Sequence, residues 1–363
     1  MDFRSAGAQS GPMENLAGSL AGEQFAPRST YLNTASAGLL PARSVAALHE
    51  AAQSVAEGAP LDMFADVEAA RAGYARLAQV PVERVAAGSS VATYVGLIAT
   101  SLPSGAEVLT AEGDFASAVN PFHVRADLKV RTVPLERIAE SVRPGTALVA
   151  VSAVQSADGR VADLAAIRSA AAAHGARTCI DVSQALGWLD FDAGQYDFTV
   201  DVAYKWLLSP RGVGFLTVPE DLGGLSPVFA GWVAGESPFD SCYGPVTEFA
   251  RSARRFDESP SLLSFTAARH ALDLVEEIGL PAIRAHDLAL ADRFRAGLDR
   301  IGREPVPAPG SAIVSVPGLG GLQPAFQEAG VSVSDRAGNL RAAFHLYNSA
   351  ADVDRLLDLL AAA

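Results

Sequence analysis

Lysine can condense with a carbonyl compound because its amine gives up a proton, whereas arginine stays charged. Of the 28 basic residues in this chain of 363, only Lys129 and Lys205 are lysines, so arginine serves almost wherever a positive charge suffices. A retained lysine points to a need for the amine itself. Lys129 sits among polar residues in Ala126-Asp-Leu-Lys-Val-Arg-Thr-Val133 and reads as a surface side chain. Lys205 stands between Tyr204 and Trp206, shortly after an apolar run of strand length. Partial desolvation there would depress its pKa and favour the neutral amine. Asp181, 24 residues earlier, ends another such run, Cys179-Ile-Asp181. Ligands of open α/β sheets lie beyond the carboxyl ends of the strands. Taken singly, both residues also have ordinary roles, since a strand-end aspartate caps helices and a lysine beside aromatic rings snorkels.

The elements that must position these residues follow from hydrophobic periodicity. From about residue 70, apolar runs of strand length alternate with helical patterns, which predicts an α/β fold with a mostly parallel sheet. Strands are predicted near Glu107–Leu109, Val130–Val133, Ala147–Val151, Thr178–Asp181, Phe198–Val200 and Gly214–Val218, and a helix over Leu164–His174 stopped by Gly175. After about residue 262 two long helices, Phe265–Ile278 and Ala282–Ile301, precede short strands at Ala312–Val316 and Leu340–Leu346 and a final helix from Ala350. The expected organisation is an arm over residues 1–27, mobile or packed on another subunit, a large α/β domain over 28–262 and a small α+β domain over 263–363.

The block Asp181-Val-Ser-Gln184-Ala-Leu-Gly-Trp188, the lysine after it and the run Pro210-Arg-Gly-Val-Gly214 resemble the class V aminotransferase family of pyridoxal 5'-phosphate enzymes. That family includes cysteine desulfurases, kynureninase, isopenicillin-epimerase-like proteins and C–S lyases. Agreement runs from Tyr31-Leu-Asn-Thr-Ala-Ser-Ala-Gly38 to Leu346-Tyr-Asn-Ser349-Ala-Ala-Asp-Val-Asp354, nearly the whole chain. The resemblance implies an aspartate-aminotransferase-like fold, pyridoxal 5'-phosphate as cofactor and a homodimer whose sites are completed across the interface. It makes Lys205 the Schiff-base lysine and the base that moves the α-proton, Asp181 the partner of the pyridinium nitrogen, and Gln184 the donor to the phenolic oxygen. A carboxylate beside that nitrogen keeps it protonated, and the ring then draws electrons from Cα.

The same resemblance gives Ser89 and Ser90, in Ala87-Gly-Ser-Ser90, to the cofactor phosphate; read alone, the segment is simply a good N-cap. Tyr204 and Ser259 are the further phosphate candidates, although the glycine of the family's Gly-Thr-Pro segment is missing before Ser259. Phe115 takes the position that stacks on the ring, with a core phenylalanine as the other reading. Arg341 and Asn33 are the substrate contacts, Arg341 forking onto the substrate carboxylate, with Arg336 and Arg211 as competitors. His345 alternates with apolar neighbours and reads as structural.

Departures from the family narrow the chemistry. No cysteine occurs in Val331–Asn339, where desulfurases carry their nucleophile, so persulfide chemistry is disfavoured. Ala153 replaces the asparagine of the Ser-Asn-Val segment, and Gln155 is a possible substitute. β-Elimination from a cysteine-type conjugate is the first expectation, transamination or epimerisation the alternative, and a non-catalytic protein of this fold the remaining one. Two cysteines, Cys179 and Cys242, are too few for a disulfide framework and show no metal-ligand spacing. A net charge of −13 without a basic stripe disfavours nucleic acid. The absence of long apolar runs and of a signal-peptide pattern leads to the expectation of a soluble, cytoplasmic protein with an amino-acid-like substrate and no membrane partner.

Overall fold

A computed structural model of the chain describes residues 18–59, 62 and 64–363. Twelve strands are found among them: β1 (Thr30–Tyr31), β2 (Val85–Gly88), β3 (Glu107–Ala111), β4 (Lys129–Val133), β5 (Thr146–Ser152), β6 (Arg177–Asp181), β7 (Phe198–Val202), β8 (Gly214–Thr217), β9 (Ile313–Val316), β10 (Val331–Ser332), β11 (Ser334–Arg336) and β12 (Asn339–Ala343). Seven of these form one sheet in the order β2-β8-β7-β6-β5-β3-β4. The ladders from β7 through β4 are parallel, and β8 runs antiparallel to both of its neighbours, β7 and β2.

The period-2 alternation of side chains explains why this sheet is covered on both faces. Leu148 and Ala150 of β5 join Cys179, Phe198 and Val200 in a core with α3 (Val91–Ser101) and α4 (Ala116–His123). Val149 and Val151 face the other way, joining Ile180 and Phe215 in a core with α2 (Ala65–Leu77), α6 (Leu164–His174) and α7 (Leu262–Ile278). Helix α6 ends as expected, with Gly175 in the left-handed conformation at φ 67°.

Strand β2 was not anticipated. Its four residues, Val-Ala-Ala-Gly, are too short and too weakly β-forming to stand out, and it is fixed by pairing with β8. The small-domain boundary at residue 263 also differs. Helix α7 packs on α2 and on α1 (Ala42–Ala56), and its Phe265, Ala268 and Leu272 lie in the core of the large sheet.

The C-terminal unit is a three-stranded sheet, β11-β12-β9, packed with α8 (Leu280–Arg300) and α10 (Ala350–Ala362) over Leu290, Phe294, Val314, Phe344 and Leu356. Leu32 belongs to that core although it is close to the start of the chain. It is carried there by β1, which pairs in parallel with β10, and by the bond from Ala343 N to Leu32 O at 2.9 Å. Part of the expected arm is anchored likewise. Ala21 and Phe25 are buried, and the Phe25 ring lies 5.0 Å from that of Tyr347; residues 1–17 of the arm lie outside the described residues. No helix of the described residues is long and apolar enough to cross a membrane.

Candidate active site

Lys205 follows β7 and is buried, 5% exposed. Burial pushes its pKa down, Asp181 and Asp201 push it up, and Arg341 and Arg211 add to the lowering. Its Nζ lies 5.3 Å from the centroid of the Phe115 ring and 5.7 Å from that of Tyr204. Phe115 is the N-cap residue of α4 and is 46% exposed, so its ring is accessible beside Lys205. The preceding residue, Asp114, accepts from Ser152 N at 2.8 Å and ties this turn to the end of β5.

Asp181 ends β6, buried, with Oδ1 accepting from Ser183 N at 2.9 Å and no ion pair among the described residues. Burial raises its pKa and the charge of Lys205 lowers it again. Next to it in the sheet, Asp201 of β7 is a second buried carboxylate, raised by burial and then by Asp181. These two acids beside one lysine suit a cationic ring nitrogen, whose charge would favour the ionised form of Asp181. Asp201 was not singled out in the sequence, because nothing in its spacing distinguishes it from an ordinary strand residue.

Ser90 caps α3, its Oγ accepting from Thr93 N at 3.3 Å, so the helix starts as the plain N-cap reading expects. Gly88 is required before it, since a Cβ there would lie 2.6 Å from Tyr94 Oη. The Ser89 and Ser90 hydroxyls thus stand at the N-terminus of α3, where the first-turn N–H groups favour an anion. Ser89 Oγ donates to Glu258, which occupies the place of the missing glycine. That loop is clamped on β2 by a buried ion pair, with Arg71 Nη2 2.6 Å from Asp257 Oδ2 and Ala87 N donating to Asp257 Oδ1 at 2.8 Å. Ser259, the next residue after Glu258, is exposed. Arg211 lies 4.1 Å over the Tyr204 ring.

Arg341, on β12, is 1% exposed and has no acidic partner among the described residues. Burial, and then Arg336, lower its pKa. Its Nη1 donates to Ser156 O and to Ser156 Oγ at 3.2 Å, its Nη2 to Ser36 Oγ at 2.8 Å and to Ser334 Oγ at 3.4 Å, while Nε is buried without a partner. Arg336 Nη2 reaches the same Ser36 Oγ at 2.9 Å, and Ser334 Oγ donates to Asn33. Two guanidinium groups thus converge on neutral hydroxyls, an arrangement that a carboxylate would complete electrostatically. Gln184 joins this group, donating to Ser156 Oγ at 3.1 Å, while Gln155 is buried with Nε2 unpartnered. The serines Ser36, Ser156 and Ser334 were missed by the sequence reading, although Ser36 lies inside the Tyr31–Gly38 motif. That motif reaches the lysine because Gly38 has no side chain. Its N donates to Tyr204 O at 2.8 Å, and a Cβ on it would lie 2.1 Å from Lys205 O.

Among the described residues no cluster of histidine, cysteine and carboxylates could hold a metal ion. Cys179 faces the α3 and α4 side of the sheet, and burial pushes its thiol far above the usual range; Cys242 is exposed on a loop. Replacing both by alanine or serine should therefore change turnover by no more than a few-fold, measured on the folded holoenzyme. A persulfide trapped on Cys242 would contradict this.

The family model for class-V aminotransferases matches residues 49–317. Kynureninase from Deinococcus radiodurans is 31% identical over 290 residues, covering 73% of this chain and 70% of that one. Isopenicillin N epimerase from Streptomyces clavuligerus is 31% identical, covering 92% of this chain and 94% of that one. A cystine C–S lyase solved with its product cysteine persulfide superposes with a TM-score of 0.83 at 22% identity, over 92% of this chain and 97% of that one. With nearly three quarters of its length matched by the family model, and with a buried lysine, a strand-end aspartate and an exposed aromatic ring gathered at the sheet's carboxyl edge, this chain belongs to the class-V aminotransferase family of pyridoxal-phosphate-dependent enzymes.

Proposed function

We propose that the chain removes the α-proton of an amino-acid substrate and expels a sulfur leaving group from its β-carbon, acting as a C–S lyase on a cysteine-type conjugate. The observation that carries this reading is the pairing of Lys205 with an acid-free arginine site, while both cysteines lie elsewhere. Bound pyridoxal phosphate supplies the electron sink for the charge left at Cα.

In this reading Asp181 holds a proton on the ring nitrogen, Gln184 donates to the phenolic oxygen, and Phe115 covers the ring and excludes water from one face. Ser89, Ser90 and Tyr204 take the phosphate, with Ser259 reaching across to a second subunit. Arg341 and Asn33 hold the substrate carboxylate so that the Cα–H bond faces the Lys205 amine. Lys205 takes that proton, and its burial favours the neutral amine that can do so.

A homodimer is part of the proposal. Val228, Phe229, Phe239 and Tyr243 are exposed large apolar residues in one stretch of loops, and Trp232 lies among them with its ring 5.7 Å from that of Phe239. The likeness to isopenicillin N epimerase favours a second reading, in which the proton returns to the opposite face of Cα. Incubating the holoenzyme with amino acids and S-conjugates separates the two. Pyruvate with ammonia and a thiol is the expected result; a racemised substrate establishes the second reading, and a keto acid with aminated cofactor refutes both.

A further inference from the structure

What Gln184 can offer a cofactor depends on which way its amide faces. We propose that Trp206 is a positioning residue that locks the Gln184 amide with its N–H groups toward the site, so that the site stabilises only an anionic oxygen there. This rests on the reading of Gln184 as the neighbour of the cofactor's phenolic oxygen. An amide can be turned end for end with almost no change of shape. An indole N–H, however, donates and cannot accept. Trp206 Nε1 lies 2.8 Å from Gln184 Oε1 and takes the amide oxygen, so that Nε2 donates one hydrogen to Ala35 O at 2.8 Å and the other to Ser156 Oγ at 3.1 Å, the latter being the one that a bound cofactor's phenolic oxygen would take over. The Ala35 carbonyl only accepts, so the far end agrees with the near one. The turned amide would set N–H against N–H and oxygen against oxygen, with two buried groups left unpaired.

Trp206 is itself held at both ends. Its ring is buried, 5.7 Å from that of Trp188 and edge-on to His345 at 5.1 Å. Its carbonyl, adjacent to Lys205, lies 3.0 Å from His345 Nε2. A carbonyl accepts only, so Nε2 carries a proton. The contact of His345 Nδ1 with Asp287 Oδ2 at 2.8 Å then holds one more proton between two fully buried groups. Whichever of the two carries that proton, the pair is neutral overall, which avoids the cost of a buried net charge. Asp287 belongs to α8, so the C-terminal unit grips the peptide that follows the lysine.

A donor aimed at the cofactor's anionic oxygen withdraws charge that would otherwise favour a proton on the neighbouring lysine nitrogen. It therefore lowers the pH at which the lysine-bound cofactor loses that proton, which visible absorbance of the holoenzyme reads directly. Gln184→Ala should raise this midpoint by about one pH unit, a tenfold change in proton affinity. Trp206→Phe, which keeps a ring and loses the N–H, should raise it similarly. Both changes together should do no more than Gln184→Ala alone, because the indole acts through the amide. The charges facing Lys205, namely Asp181, Asp201, Arg341 and Arg211, are the same in every variant.

If Gln184→Ala shifts the midpoint and Trp206→Phe does not, or if Trp206→Phe shifts it further in the Gln184→Ala background, the positioning role is overturned. If Gln184→Ala itself leaves the midpoint unchanged, the reading of Gln184 fails and takes the proposal with it. Should Trp206→Phe not fold, the Trp206 indole 15N–1H resonance gives the test in protein with cofactor bound. It must move on Gln184→Leu, and an unmoved resonance overturns the proposal.

Discussion

Lys205→Ala should yield a folded protein whose turnover has fallen at least about a thousandfold, since the group proposed to move the proton is gone. The fold should survive because Lys205 forms no ion pair among the described residues, so its loss leaves no carboxylate stripped of a hydrogen-bonded partner. The alanine protein should still retain cofactor through the Ser89–Ser90 turn, at reduced affinity. In the unmodified protein, borohydride reduction followed by peptide mass spectrometry should find the cofactor on Lys205. A label on Lys129, which is exposed on β4, or no label at all, would sink the assignment of the site.

Arg341→Lys keeps a charge and loses the planar fork. The fork is anchored by Ser156, Ser36 and Ser334, and a single ammonium cannot reproduce that spread of donors. We expect kcat/KM to fall by roughly a hundredfold or more, about 3 kcal/mol of transition-state stabilisation, because a misdirected carboxylate misplaces the bond to be broken. Cofactor affinity should stay the same. Normal turnover in Arg341→Lys together with a large loss in Arg336→Lys or Arg211→Lys would move the clamp to another arginine. Equal turnover of amines that lack a carboxylate would abolish it.

The strand ends that carry Asp181 and precede Lys205 were legible because the length of each apolar run fixes where the strand stops. Phe115 was named from its family resemblance alone, and the fold sets it at the N-cap of α4 beside Lys205. Gln184 could be named from its motif, yet its orientation could not, because that is set by an indole 22 residues away on another turn. The serines around Arg341 escaped notice because serine has no signature on its own; only the folded chain brings residues 36, 156 and 334 to one guanidinium. The Asp287–His345 pair joins α8 to the segment after β12, and no local pattern encodes a contact of that span. Strand β2 and the place of α7 were missed for a different reason: both are decided by the neighbours that cover them and not by their own periodicity.

The seam between β1 and β10 also sets an order of events during synthesis. Ser36 and Arg341, which meet through one hydrogen bond, are 305 residues apart. The large sheet can close around Lys205 and Asp181 while the ribosome is still adding the C-terminal unit, but Leu32 must wait for its core until that unit emerges. Contacts of such long range form slowly. The nascent chain therefore passes through a stage in which the lysine side of the site is built and the Arg341 side is not. During that interval Leu32 stands without its core, and the meeting of Ser36, Ser156 and Ser334 at Arg341 is completed last.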